Sequence, residues 1–583
     1  MYRKLLASVR EYKRASLEAP IYVSCEVVIE CVIPFIVARL VNEIRAGCDL
    51  RALLIDGALL VLMACLSLLF GIIAANACST AACGFAKNLR SDIFKAVQKF
   101  SFENIDKFST ASLITRITTD VTRVQEAYMA IVRIAVRGPL MLVFSFIMAF
   151  IMGGRIALIF LLTAPFLGLG LYLIARWSLP NFRRIFKKYD VVNNSIQENV
   201  RAMRVVKAFV REEYAEKKFD SDAEDLCREF TLAEKILALN NPMMQFCLYV
   251  VMIFVLYYGT YKVITSHGLA LNVGQISSLL TYGVQILGSL MRLSMVFVMI
   301  TLSRESAVRI VEILDEKPAL TSPINGLTEI SSGDIEFNNV SFKYGSYIKS
   351  PYALSNINLR IESGSTVGII GGTGSSKSTL ISLIPRLYDA TEGAVKVGGH
   401  DVKEYDLEAL RNNVSIVLQK NELFSGTIRE NLLWGNEHAT EDEIMEACKI
   451  SCADEFIDRF PDKYETMLEQ NATNLSGGQK QRLCIARALL KRPKILILDD
   501  ALSAVDTHTD AMIRASLKEY MPQTTKLIIA QRVLSVQDSD IIVLMEGGKI
   551  RATGTHKELL KSDEIYNEIY LSQNSGRSRD LDE

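Results

Sequence analysis

Half of the 583 residues are hydrophobic, and 65 basic residues balance 65 acidic ones. That balance excludes the basic excess of a nucleic-acid binder. The apolar residues are unevenly spread: up to about residue 305 they gather in runs near the ~20 residues that cross a bilayer core, and after about residue 330 they form short strand-sized runs between charged segments. Two parts of different solvent history are joined in one chain.

In chain order, six membrane-spanning segments are predicted, at 19–44, 53–77, 132–153, 155–176, 242–266 and 276–302. A charged amphipathic stretch precedes a first span too long for a signal core, so no cleavable signal peptide is expected. Glu26 and Glu30 lie one turn apart in that span. Intramembrane carboxylates are costly and mark functional sites by default, and an unpaired pair would favour cationic amphiphiles; the bland reading is that they bond a neighbouring helix or face hydrated cavity.

The connections after the second and fourth spans are long and basic, with Lys87, Arg90, Lys95, Lys99, Lys107, Arg116 and Arg123 in one, and Arg183, Arg184, Lys187, Lys188, Arg201, Arg204, Lys207 and Arg211 in the other. Together with Arg3, Lys4, Arg10, Lys13 and Arg14 ahead of the first span, they place both termini and both long loops in the cytoplasm. Apolar residues at helical spacing, such as Ile196, Val200, Met203 and Val206, predict helices that continue far beyond the membrane. Turns with an exposed aromatic are expected at 104–112 (Phe108) and 205–213 (Phe209); heptads are not sustained enough for a coiled coil. The eleven cysteines are scattered without metal-ligand spacing, and Cys448 and Cys452 read as ordinary helix packing.

The apolar run Thr366–Ile370 leads into Gly371-Gly372-Thr373-Gly374-Ser375-Ser376-Lys377-Ser378-Thr379 and then a helix-like segment. A strand, a glycine-rich turn and a helix N-terminus aim amides and a lysine at one point, which suits nucleotide phosphates. Lys377 would meet the β- and γ-phosphates, and Ser378 would offer its hydroxyl to Mg²⁺. Ser376 stands where the pattern calls for glycine, which takes φ > 0 without a steric cost. Downstream, Ser476-Gly477-Gly478-Gln479 opens another helix and is also suited to an anion. The strand 493–498 ends in Asp499 and Asp500, where Mg²⁺ is held in such proteins. One domain rarely needs two phosphate-binding glycine turns, so the second is expected to serve a partner's nucleotide.

These motifs, with Leu475-Ser476-Gly477-Gly478-Gln479 the most specific, resemble the ATP-binding cassette (ABC) exporters in half-transporter form, and the resemblance covers nearly the whole chain. It implies an α-helical six-span transmembrane domain (1–305), a linker (306–332), an α/β P-loop nucleotide-binding domain (333–572) and a flexible tail (573–583). It further implies that Tyr344 stacks on adenine, that Gln419 senses Mg²⁺ and the γ-phosphate, that Asp499 ligates Mg²⁺, that Ser503–Asp506 form the D-loop, and that the turns in the long loops are coupling helices. The setting it implies is a bacterial plasma membrane with a cytoplasmic ATP-binding domain.

Two departures from the family join Ser376: Asp500 stands in place of the catalytic glutamate, and Gln531 in place of the switch histidine. Displacing a catalytic group by about 1 Å costs on the order of 10²-fold, and Gln carries neither a proton nor a positive charge. With the signature intact, the expectation is a heterodimer: this chain contributes one degenerate ATP site and completes a competent site on a second half-transporter. The transported substrate is read as amphipathic, a drug, lipid or peptide. The competing readings are an ATP-gated regulatory or channel-like membrane protein and an importer on the exporter fold.

Overall fold

The computed structural model describes residues 2–47, 49–266, 271–345 and 351–574. The chain divides into two compact units, one made of Met1–Gln98 and Ser109–Glu316, the other of Lys99–Phe108 and Lys317–Glu583.

Among the described residues of the first unit, five continuous helical stretches are long and apolar enough to cross a bilayer. One of them, Thr110–Ser178, takes in the helix Val121–Gly153 and the first part of the helix Leu158–Arg201, joined by a one-turn 3₁₀ segment that begins at Gly154 with φ +53°. The other four stretches contain the helices Lys13–Ala46, Leu50–Gln98, Asn240–Thr265 and Val273–Asp315. Each of the six predicted spans falls on one of these six helices. At 1.5 Å per residue a 49-residue helix is about 74 Å long, far more than the ~30 Å hydrocarbon core, so the long helices project well beyond the membrane.

Pro34, inside the first spanning helix, has no N–H to give to the Glu30 carbonyl. The sixth helix compensates: Gln285 Nε2 comes to 3.5 Å from the Glu30 carbonyl, the Tyr282 hydroxyl donates to the Cys31 carbonyl at 2.7 Å, and the Ser278 hydroxyl donates to the Pro34 carbonyl at 2.6 Å. Freed backbone acceptors in lipid must find such donors.

The two intramembrane glutamates are paired: of the two readings above, the structure favours the one in which they bond a neighbouring helix. Arg137 of the third helix reaches Glu26 Oε1 with Nη1 at 2.5 Å and both Glu30 oxygens with Nη2 at 2.7 Å. The same one-turn spacing that suggested a cation site lets one forked guanidinium bridge both carboxylates. Arg137→Ala would strand them, so it is expected to destabilise the protein by roughly 3–5 kcal/mol, read as thermal unfolding in detergent. The triple change Glu26→Gln, Glu30→Gln and Arg137→Met is expected to cost much less.

The long connections are helical, with short breaks. The first contains the helix Phe102–Lys107, capped by the Ser101–Asn104 box; the second contains Met203–Ala208 before Glu212–Leu237. Phe209 is 73% exposed, as expected for its turn, whereas Phe108 is buried at 4% and stacks on Phe100 with ring centroids 5.9 Å apart. The outward aromatic of the first turn is Phe102, whose ring lies 6.0 Å from that of Tyr388.

The second unit carries two main sheets. The antiparallel sheet has the order β2-β1-β4-β5, with β1 Ile335–Phe342, β2 Leu354–Ile361, β4 Glu392–Val397 and β5 His400–Asp401. The six-stranded sheet has the order β12-β11-β3-β10-β9-β6, formed by β3 Thr366–Gly371, β6 Val414–Val417, β9 Ile495–Asp499, β10 Thr525–Ile529, β11 Ile541–Glu546 and β12 Lys549–Gly554. A small ribbon pairs β7 Gly426–Thr427 with β8 Met467–Leu468. Strands β9 and β10 are buried at every position, as parallel strands covered on both faces are. Because β10 lies between β3 and β9, the loops leaving the carboxyl ends of these three neighbouring strands converge, where open α/β sheets bind ligands.

Candidate ATP-binding site

The turn after β3 is shaped by close packing and by left-handed backbone. A Cβ on Gly371 would lie 2.3 Å from the Met545 carbonyl, and Gly374 has φ +81°. Ser376 has φ +69° and ψ +27°, immediately before the helix Lys377–Ser382. The conformation natural to glycine is therefore kept with a Cβ present, at a cost of about 1 kcal/mol. The departure strains the turn without reshaping it.

Lys377 folds back over the turn, donating to the Gly371 carbonyl at 2.9 Å and the Gly372 carbonyl at 3.0 Å, with the Ser375 hydroxyl at 3.3 Å. Burial lowers its pKa, opposed by Asp499 and Asp500. Thr379, one turn into the helix, lies 3.0 Å from the Tyr344 hydroxyl, and the Tyr344 ring is 43% exposed beside the phosphate turn.

Asp499, at the end of β9, is buried; desolvation raises its carboxyl and the Ser378 hydroxyl bonded to it works the other way. A hydroxyl and a carboxylate side by side form a hard oxygen pair of the kind Mg²⁺ takes together with nucleotide phosphates. Mg²⁺ would have to displace any proton held on that carboxyl.

Asp500 follows with φ +52°. Its Oδ2 accepts from Gln531 Nε2 at 3.1 Å and lies 3.5 Å from Gln419 Nε2. Burial pushes its carboxyl up, and the Gln419 amide leads the opposing causes. Gln419 follows β6, Asp500 follows β9 and Gln531 follows β10, so three residues far apart in sequence meet on one carboxylate. A cavity of about 470 Å³ opens beside Asp500 and Gln531, lined also by Ser503, Arg532 and Gln573.

The second glycine turn is built differently. Ser476 caps the helix Gly477–Leu489 in a box: its hydroxyl accepts from Gln479 N at 3.3 Å, and Gln479 Oε1 accepts from Ser476 N at 2.9 Å. A Cβ on Gly478 would sit 2.9 Å from the Ala504 carbonyl, so the turn is held closely against the loop Ser503–Asp506. Gln481 ties the two, accepting from Ala504 N at 3.1 Å and donating to the Ser503 hydroxyl at 3.3 Å. Among the described residues, Ser476–Gln479 make no hydrogen bond to the phosphate turn. The structure thus gathers Gly371–Thr379, Tyr344, Gln419, Asp499, Asp500 and Gln531 at one end of the sheet and holds Ser476, Gly477, Gly478 and Gln479 in a separate capped turn.

Sequence reasoning passed over Arg137, Gln481 and Gln573. Arg137 carried a usable signal, a charge inside an apolar run opposite a glutamate pair. The two glutamines carried none, because their partners are backbone atoms and side chains set by the fold.

The comparisons agree with this architecture. Residues 22–290 match the ABC transporter transmembrane region family, and residues 354–503 match the ABC transporter family. The chain is 33% identical over 575 residues to the ABC transporter ATP-binding protein YfiB of Bacillus subtilis (strain 168), covering 98% of each. It is 32% identical over 496 residues to an ATP-dependent lipid A-core flippase of Desulfotalea psychrophila, covering 84% of each. Its fold is that of a bacterial Atm1-family ABC exporter solved with ATP bound, at TM-score 0.81 and 24% identity over 97% of this chain and 98% of that one. Six membrane helices followed by a cassette with this phosphate turn and signature make the chain an integral membrane protein of the ABC transporter family, with the fold of an ABC exporter and an ATP-binding domain.

Proposed function

We propose that this chain is one half of a heterodimeric ATP-driven exporter of amphipathic substrates, contributing a degenerate ATP site and the signature that completes the competent site of its partner. The observation that carries the reading is the Asp500–Gln531 pair. A general base must be free to take a proton from the attacking water, and here the carboxylate accepts from an amide at 3.1 Å, with a second amide at 3.5 Å. Gln531 supplies a neutral donor where the family's histidine can be charged. The site retains what binding needs, namely Lys377, Ser378, Asp499 and an aromatic ring at Tyr344, while the base and the switch residue are both weakened.

On this reading Mg²⁺, held by Ser378 and Asp499 with Gln419 nearby, would neutralise phosphate charge. Lys377 would exchange its carbonyl partners for phosphate oxygens, and the amides of Gly372–Lys377 would cradle the α- and β-phosphates. Ser476–Gln479 of this chain would close over the nucleotide of the partner cassette. The short helix Phe102–Lys107 would transmit closure through Tyr388, and the exposed Phe209 turn would seat on a cassette groove. Amphipathic cargo is favoured by the relatives named as lipid A-core flippases.

The test is co-expression with a second half-transporter that carries the glutamate and histidine. A stable pair that moves an amphipathic dye outward across vesicles at the expense of ATP is expected. A fully active homodimer would overturn the heterodimer, inward movement would favour an importer, and ATP-dependent conductance without pumping would favour a channel-like protein.

A further inference from the structure

We propose that Gln573 is a positioning residue for the nucleotide site: its side-chain amide clamps the loop that carries Gln531 and so sets the Gln531–Asp500 bond. The inference rests on the reading that Asp500 and Gln531 face the γ-phosphate.

Gln573 lies in the last turn of the helix Glu564–Asn574. Its Oε1 accepts from Val533 N at 2.8 Å, and its Nε2 donates to the Gln531 carbonyl at 2.9 Å. Both backbone groups lie past the end of β10, where no sheet ladder satisfies them, and Val533 opens the 3₁₀ turn Val533–Ser535, whose first amides have no partner inside the turn. A primary amide offers one acceptor and a pair of donors from a single planar group, so one side chain answers an N–H and a C=O on either side of Arg532. Fixing these two atoms fixes the backbone from which the Gln531 side chain reaches Asp500 Oδ2. Gln573 also lines the cavity beside Asp500 and Gln531, so the clamp and the site it orders share one space.

The helix does not depend on this contact for its own place. Tyr566 is fully buried, its hydroxyl lies 2.8 Å from His556 Nδ1, and its N–H donates to Asp563 Oδ1 at 2.9 Å. Loss of the Gln573 amide should therefore free the loop and leave the helix docked. The C-terminal helix becomes a handle on the nucleotide site: whatever shifts its last turn shifts Gln531.

The experiment uses the assembled complex and photolabelling by 8-azido-ATP with Mg²⁺, resolved by subunit so that only labelling of this chain is scored. Gln573→Ala is expected to raise the half-saturating concentration about fivefold, within the range of couplings between residues of one network, with an unchanged thermal midpoint. In a Gln531→Ala background the same change is expected to shift it less than twofold. Gln573→Glu keeps the acceptor for Val533 N and loses the donor to the Gln531 carbonyl, and is expected to reproduce the loss without removing side-chain bulk. An unshifted half-saturation, or an equal shift in both backgrounds, would overturn the clamp, as would a thermal midpoint that falls in step with labelling in both. Turnover of Asp500→Asn is scored separately. If that change abolishes hydrolysis while the coupling to Gln573 persists, the degenerate-site reading fails and the clamp stands.

Discussion

Gly477→Asp is expected to reduce ATP turnover of the assembled transporter by at least 10²-fold, while Asp500→Asn in the same chain reduces it only a few-fold. Gly477 is exposed in the turn that opens the helix Gly477–Leu489, and a carboxylate there would sit where the helix N-terminus and its amides favour an anion. The proposal assigns that turn to the partner's competent nucleotide, so the added charge opposes γ-phosphate binding at the only site that turns over quickly. Ser476→Ala is expected to act in the same direction, because it removes the hydroxyl that accepts from Gln479 N and so loosens the cap as well as the phosphate contact. Asp500 is different. Losing an effective general base costs ~10²–10⁴-fold, but this carboxylate already accepts from Gln531, and on the proposed reading little base catalysis is left for Asn to remove. Steady-state turnover of the purified pair decides the matter: if Asp500→Asn abolishes activity and the signature changes leave it near the wild-type rate, the division into weak and competent sites is refuted.

What could be read from the sequence was contiguous. A strand, a glycine turn and a helix start follow one another in Thr366–Leu380, so the phosphate turn was legible at once, as was the signature from Leu475 to Gln479. Six spans were legible because hydropathy integrates over about 20 residues and tolerates errors at the ends. The bonds that give the site its character run between positions far apart, Gln531 to Asp500 and Gln573 to the Gln531 backbone, and no spacing announces them. Glu26 and Glu30 were visible as a pair; their partner Arg137 was visible only as another charge, and distance alone decides between substrate site and structural lock. The orientation of the first cytoplasmic turn was likewise set by long-range bonds. Asn104 Nδ2 donates to the Lys317 carbonyl at 3.0 Å and its Oδ1 accepts from Ala319 N at 2.9 Å. Those bonds fix the short helix so that Phe108 faces inward and Phe102 outward, a choice that helical periodicity over six residues does not make.

Phe102→Ala is therefore expected to uncouple transport from ATP turnover, with Phe108→Ala acting on stability instead. Phe102 lies against Tyr388, and the Tyr388 hydroxyl donates to Asp106 Oδ2 at 2.7 Å. Burial and the Asp106 carboxylate both push the Tyr388 phenol upward, so it remains a donor at any physiological pH. The Tyr388 ring is 5.3 Å from that of Tyr344, whose hydroxyl lies 3.0 Å from Thr379 on the helix that begins at the phosphate turn. A continuous aromatic path thus leads from the Phe102 turn to the helix that begins at the phosphate turn. Aromatic anchors of this kind are worth ~2 kcal/mol or more, enough for a tenfold or greater fall in substrate moved per ATP. Phe209→Ala, at a residue 73% exposed, is expected to uncouple as well without moving the thermal midpoint. Phe108 is buried at 4% on Phe100, and truncating a buried Phe costs roughly 3–5 kcal/mol, which should appear as a lower unfolding temperature. Dye transport and phosphate release in proteoliposomes, with thermal unfolding of each variant, separate these outcomes. Coupling that survives both Phe102→Ala and Phe209→Ala would show that closure reaches the membrane helices by another route.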